Sequence, residues 1–218
     1  MAASDSGQSW AVLAASEQGK GVWLKGWLRA TKPARLIVWD RNDEYADHAE
    51  RVPTLAGLHA ACRGAAFRLR YVPRARTGKR LQDEFEAWCL VAFEAGRAVV
   101  VVEELADVTS ASFAPPAWRQ LNTRGRHHRG LHIIGLSQTP ATIDKAFLAN
   151  ATMLHVGYLG TAAHRRAVAE ELDCEPDRIK VLQRFEFLQY RRDTRELKPG
   201  RVVLPQQTPA AKRPKRAA

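Results

Sequence analysis

Ala14-Ala15-Ser16-Glu17-Gln18-Gly19-Lys20-Gly21 lies between an apolar run, Trp10–Ala15 (WAVLAA), and a helix-forming stretch over Gly21–Ala30. A strand that breaks into a glycine-bearing turn and opens into a helix is the setting a phosphate cradle requires. Backbone N–H groups of residues Ala15 to Val22 point at the anion, and Lys20 neutralises the outer phosphates. The match to G-x-x-x-x-G-K-[ST] is incomplete. Ala14 stands at the first glycine, Gly21 replaces the hydroxyl residue that would reach a magnesium ion, and Glu17 puts a carboxylate inside the turn.

Working outward, short apolar runs alternate with amphipathic stretches, which predicts an α/β fold with a mostly parallel central sheet flanked by helices. Further strands are expected at Arg35–Trp39, Phe67–Val72, Ala98–Val102 (AVVVV), Leu131–Leu136 (LHIIGL) and Thr152–Val156. Helices are expected at Leu81–Ala95 and Thr161–Leu172, and late edge strands, antiparallel candidates, at Phe185–Tyr190 and Arg201–Leu204. AVVVV is β-branched almost throughout, as in a central strand covered on both faces.

That strand runs into Glu103-Glu104. Ligand chemistry in open α/β sheets sits at the carboxyl ends of the strands, so one carboxylate of the pair can hold a metal ion, directly or through water, and the other can polarise the attacking water. Leu131–Leu136 runs on into Ser137 and Gln138. Gln138 either contacts the terminal phosphate or orients water, or it caps the turn before Pro140. Asn122–Arg129 (NTRGRHHR) gathers Arg124, Arg126 and Arg129, whose guanidinium groups suit a neighbouring subunit's phosphate site or DNA phosphates equally. His127 and His128 have no acidic or cysteine partner at zinc spacing.

Composition sets the partner class. Across 218 residues the formal net charge is +11, and a polyanion is the simplest partner for such a surplus. The tail 209–218 (PAAKRPKRAA) is wholly basic among its charged residues, either a solvated end or a further phosphate-binding arm. Residues 1–208 read as one domain. The three cysteines, Cys62, Cys89 and Cys174, are widely spaced and form no disulfide framework, which points to buried thiols in a reducing compartment. No apolar run is long enough to span a bilayer and no secretory signal opens the chain, so the sequence predicts a cytoplasmic protein.

In order and character these pieces resemble the FtsK–HerA superfamily of DNA-pumping ATPases, especially its small viral genome-packaging members. The GKG loop, RLIVWDRNDEY, VVVVEELADV and the run RGRHHRGLHIIGLSQTPATIDKAFLANATMLHVGYLG carry the likeness, over roughly residues 10–190. The ATPase part of zonula-occludens-toxin-like phage proteins is similar too. The resemblance implies a RecA-like P-loop core and ATP and Mg2+ as cofactors. It also implies a hexameric ring on double-stranded DNA, with a capsid vertex or portal-type protein as a further partner, in the host cytoplasm or on the virion. It implies Gly19 and Lys20 as the phosphate-loop pair, Glu103 beside magnesium and Glu104 as catalytic glutamate. Gln138 becomes the polar sensor, and Arg126, with Arg124 and Arg129 as alternatives, a finger supplied in trans.

Overall fold

The computed structural model describes residues 7–204; the basic tail 209–218 lies outside them. The core is a nine-stranded sheet, and its element order follows the sequence closely. Strand β1 (Ser9–Leu13) leads through the glycine turn into helix α1 (Lys20–Thr31). After it come β2 (Arg35–Trp39), the two-residue β3 (Glu50–Arg51), α2 (Leu55–Ala61), β4 (Phe67–Tyr71), α3 (Gly78–Ala95) and β5 (Val99–Val102). The next elements are α4 (Pro116–Gln120), a π-helical turn (Leu121–Gly125), α5 (Arg126–Arg129), β6 (His132–Ser137), α6 (Lys145–Asn150) and β7 (Met153–Gly157). The chain ends on α7 (Ala162–Leu172), α8 (Asp177–Lys180), β8 (Glu186–Arg191) and β9 (Glu196–Arg201).

Across the sheet the order is β3-β4-β2-β5-β6-β1-β7-β8-β9. Strands β1 to β7 pair in parallel, and β8 and β9 add antiparallel at the edge. Strand β6 therefore lies between β1 and β5, so the glycine turn, Gln138 and Glu103-Glu104 all emerge at one edge of the sheet.

The two faces are covered unequally. Alternation along β2 and β5 sends Ile37, Trp39, Val100 and Val102 to one face and Leu36, Val38 and Val101 to the other. The first face carries most of the helices and a packed aromatic core of Trp39, Phe85, Trp88, Trp118 and Phe147. Gly135 of β6 is needed there: a Cβ would lie 2.6 Å from the Phe147 ring. Over the second face lies α1, burying Leu24 and Leu28 against Val12, Leu36, Val101 and Ile134. Each of these leucines contributes about 1.5–3 kcal/mol. Trp23 and Trp27 join the rim of this second core beside Trp10, as structural packing rather than an open platform.

The last strand differs from the expectation. It runs over Glu196–Arg201, not Arg201–Leu204, pairing Arg191 with Glu196 and Glu186 with Arg201. The stretch ELKPGR reads as a turn because of its proline and glycine, yet an edge strand tolerates both. Asp193 fixes the connecting turn by accepting from the Thr194 amide and the Arg191 guanidinium. Strand β3 and helix α2 were not expected. Of the cysteines, Cys62 and Cys89 are buried and Cys174 is only half-buried.

Candidate phosphate and carboxylate site

The turn after β1 is shaped by local backbone. Gly19 has φ 99°, which a side chain would resist, and it caps α1. The first helical hydrogen bond runs from the Trp23 amide to the Gly19 carbonyl at 2.8 Å. The amides of Lys20, Gly21 and Val22 therefore have no helical partner and face outward as an anion-binding end. Ala14 takes the first glycine's place without strain, since it is not among the positive-φ residues. Its methyl packs against Gly157, where a Cβ would come within 2.9 Å of it.

Glu104, two residues past β5, sits in the left-handed region at φ 48°. Non-glycine residues held there carry about 1–3 kcal/mol of strain, which collects at functional sites. The conformation turns its carboxylate back toward the phosphate loop. Glu104 Oε1 lies 3.3 Å from Lys20 Nζ and accepts from Gln138 Nε2 at 2.7 Å. The Lys20 and Glu104 side chains are 14% and 16% exposed, so solvent screens the pair only weakly. The three residues from β5, β6 and α1 thus meet in a cleft of about 410 Å³.

Glu103 is buried and accepts from the Asn42 amide at 3.2 Å. Burial, helped by the negative charges of Glu44 and Asp40, pushes its carboxyl up to about 7. The loop after β2 is held in this position by Asp40, fully buried, which accepts from the Glu44 and Tyr45 amides at 2.8 and 3.1 Å. Arg70 of β4 pairs with Asp40 at 2.8 Å and also with Asp43. On the cleft's other side Glu44 holds Lys25 at 2.7 Å. Asn42, Glu44 and Lys25 line the cleft but were not singled out as site residues in the sequence; the Asp40-centred turn brings the first two there, and Lys25 comes from α1.

Arg184 and Phe185 close the remaining wall. They precede β8, which joins the sheet beyond β7. Arg126 lies elsewhere. It precedes β6, at the sheet edge opposite the cleft, and donates to the Asn150 carbonyl at 3.2 Å. It is not brought to its own chain's Lys20. Arg129 caps α3 through the Phe93 and Glu94 carbonyls, and Arg124 is exposed.

With this geometry in view the chain can be placed among known proteins. Over 176 residues it is 30% identical to protein P9 of Pseudoalteromonas phage PM2, spanning 79% of this chain and 78% of P9. The chain belongs to the P9 family. No family model matches it. Its fold is shared with the genome packaging NTPase B204 of Sulfolobus turreted icosahedral virus 2, solved with AMPPCP. The TM-score is 0.77 at 18% identity, covering 91% of this chain and 99% of B204. The N-terminal domain of zonular occludens toxin from Neisseria meningitidis shares it at a TM-score of 0.52 and 13% identity, covering 92% and 96%. Both kinds of neighbour expected from the sequence are thus found, and the core is the RecA-like P-loop fold. Among the described residues no helix is long and apolar enough to cross a membrane.

The donors at this site would suit a magnesium ion. Such an ion takes one or two carboxylates and completes its shell with phosphate oxygens and water. Glu103 would supply the carboxylate. At Gly21 a Cβ would meet nothing within 4 Å, so the space of the missing hydroxyl is open to water.

Proposed function

We propose that this chain is an ATP-driven motor on double-stranded DNA, a viral genome-packaging ATPase working as a hexameric ring. The observation that carries the reading is the convergence of Lys20, Glu104 and Gln138 at the free amides of α1. In it, residues Ala15 to Val22 wrap the phosphates and Lys20 neutralises the outermost one. The donors are the amides toward the start of α1, because those of Ala15 and Gln18 already bond to the Tyr158 and Ala15 carbonyls. Glu104 takes the proton of the attacking water, and its oxygen not shared with Lys20 and Gln138 is the one that faces that water. Gln138 senses the terminal phosphate through its bond to Glu104. Glu103 would hold a magnesium ion, which would supply charge neutralisation at the phosphates when bound.

Arg126 of an adjacent subunit is the proposed finger. Its position at the opposite sheet edge from its own cleft suits action across a subunit boundary, where a guanidinium stabilises charge on the transferred phosphoryl group. A net charge of +11 supports duplex DNA as the cargo, gripped by its backbone rather than read by its bases. A capsid vertex or portal-type protein would receive that DNA, in the host cytoplasm or on the virion.

A second reading, nucleotide binding without turnover, is favoured by the absent hydroxyl at Gly21. Steady-state ATP hydrolysis with and without duplex DNA separates the two. The motor reading predicts turnover that rises on adding duplex DNA, with the stimulation fading as salt increases because phosphate contacts release counterions. Turnover that ignores DNA at low salt sinks the motor reading, and ATP binding with no turnover at all leaves the second reading standing.

A further inference from the structure

We infer that Arg184 and Phe185 form the nucleoside-binding wall of the cleft, a stacking platform that makes the site select a nucleoside triphosphate over bare triphosphate. This rests on the reading of the cleft as a nucleotide site and adds the end of the ligand that the phosphate loop does not touch.

The sheet order fixes the direction of the ligand. Glu104 and Gln138 come from β5 and β6, on one side of β1. They mark the end where the terminal phosphate reacts. The phosphate chain crosses the amides of α1, so the nucleoside must leave on the other side of β1, toward β7 and β8. The residues waiting there are Arg184 and Phe185, immediately before β8, and both line the same cleft as Lys20 and Glu104.

Their placement is built rather than incidental. Phe185 holds φ 68°, a left-handed conformation that a bulky residue rarely adopts. The carbonyl of Phe185 accepts from the Val202 amide at 2.8 Å, which ties the residue to the chain just past β9. Its ring lies directly against the phosphate loop: a Cβ on Gly19 would come within 2.9 Å of Phe185 Cδ1. The Arg184 guanidinium lies 4.8 Å from the centre of that ring. Arg184 Nε also donates to the Glu17 carbonyl at 3.3 Å, which anchors the cation to the loop itself. Such a conformation persists only where the surrounding contacts over-determine it. An aromatic face and a planar guanidinium are the two surfaces on which a nucleobase stacks.

The test compares equilibrium binding of ATP and of inorganic tripolyphosphate, each with Mg2+, to the parent chain and to Phe185→Ala, Phe185→Leu and Phe185→Tyr. Base stacking sets an expected loss in ATP affinity of about ten- to hundredfold for the alanine and leucine variants. Tripolyphosphate affinity should hold in both, and Phe185→Tyr should bind ATP as the parent does. Leucine keeps apolar bulk against Gly19, so a loss shared by alanine and leucine reports the lost aromatic face. The inference is overturned if ATP and tripolyphosphate weaken together, since Phe185 then only props up the loop. It is equally overturned if neither weakens. A parent chain that binds neither ligand refutes the nucleotide site itself, a different failure.

Discussion

Glu104→Gln should retain ATP binding and lose at least about a hundredfold in turnover, the usual effect of removing a positioned general base. The substitution keeps the side chain's length and its ability to accept from Gln138 Nε2, so the cleft keeps its shape. What disappears is the charge opposite Lys20, now 3.3 Å away, and the group able to take a proton from water. Losing that counter-charge leaves Lys20 freer to meet phosphate, so ATP affinity should stay level or rise. Rapid-quench measurement of single-turnover hydrolysis alongside ATP titration checks both halves. If the variant hydrolyses ATP at the parent rate, Glu104 is not the base, and the left-handed conformation at φ 48° needs another explanation.

Acid should unfold the protein through the second face of the sheet. His155 is buried between Trp23 and Phe187, with ring centroids at 4.1 and 4.2 Å, and its Nδ1 has no partner. Burial depresses it to about 3, and depresses His132, packed beside Trp10 and Trp27, to about 4. For a base whose folded pKa lies below its unfolded value, the unfolded chain binds more protons. Stability is then complete above about 6.5 and is lost as the pH falls toward the folded value. Between pH 7.5 and 4.5 His155 alone should remove about 3 kcal/mol, and His132 nearly as much. That is a large fraction of the roughly 5–15 kcal/mol of an ordinary domain. Urea denaturation at the two pH values should show His155→Phe losing about 3 kcal/mol less than the parent across that interval. An equal loss in both proteins would place the acid sensitivity elsewhere.

Much of this architecture was legible because the signals were local. A β-branched run such as Val99–Val102 reads as a covered strand, and the glycine turn between strand and helix, a degenerate motif alone, gains its meaning from the carboxylates and Gln138 at the same sheet edge. Lys20 opens a helix and Glu104 and Gln138 follow strands within two residues, so their sequence positions already put them at one sheet edge. The rest depended on contacts that no local pattern encodes. Asn42 and Glu44 reach the cleft only because buried Asp40 gathers two amides and the Arg70 guanidinium. Arg184 and Phe185 arrive through an antiparallel edge hairpin whose second strand contains Pro199 and Gly200, residues that argue against a strand when read alone. Arg126 shows the limit from the other side: its cluster was evident in the sequence, but its place at the far sheet edge was not.

On the proposed function, the free amides of α1 and Lys20 bind the phosphates of ATP. Calorimetric titration of MgATP into the parent chain and into Lys20→Ala tests it most directly. Removing one charge-assisted contact of this kind weakens binding by about ten- to hundredfold, and the account predicts a loss of that size with the parent binding well. Equal affinity in the two proteins, or a parent chain that does not bind ATP, would contradict it.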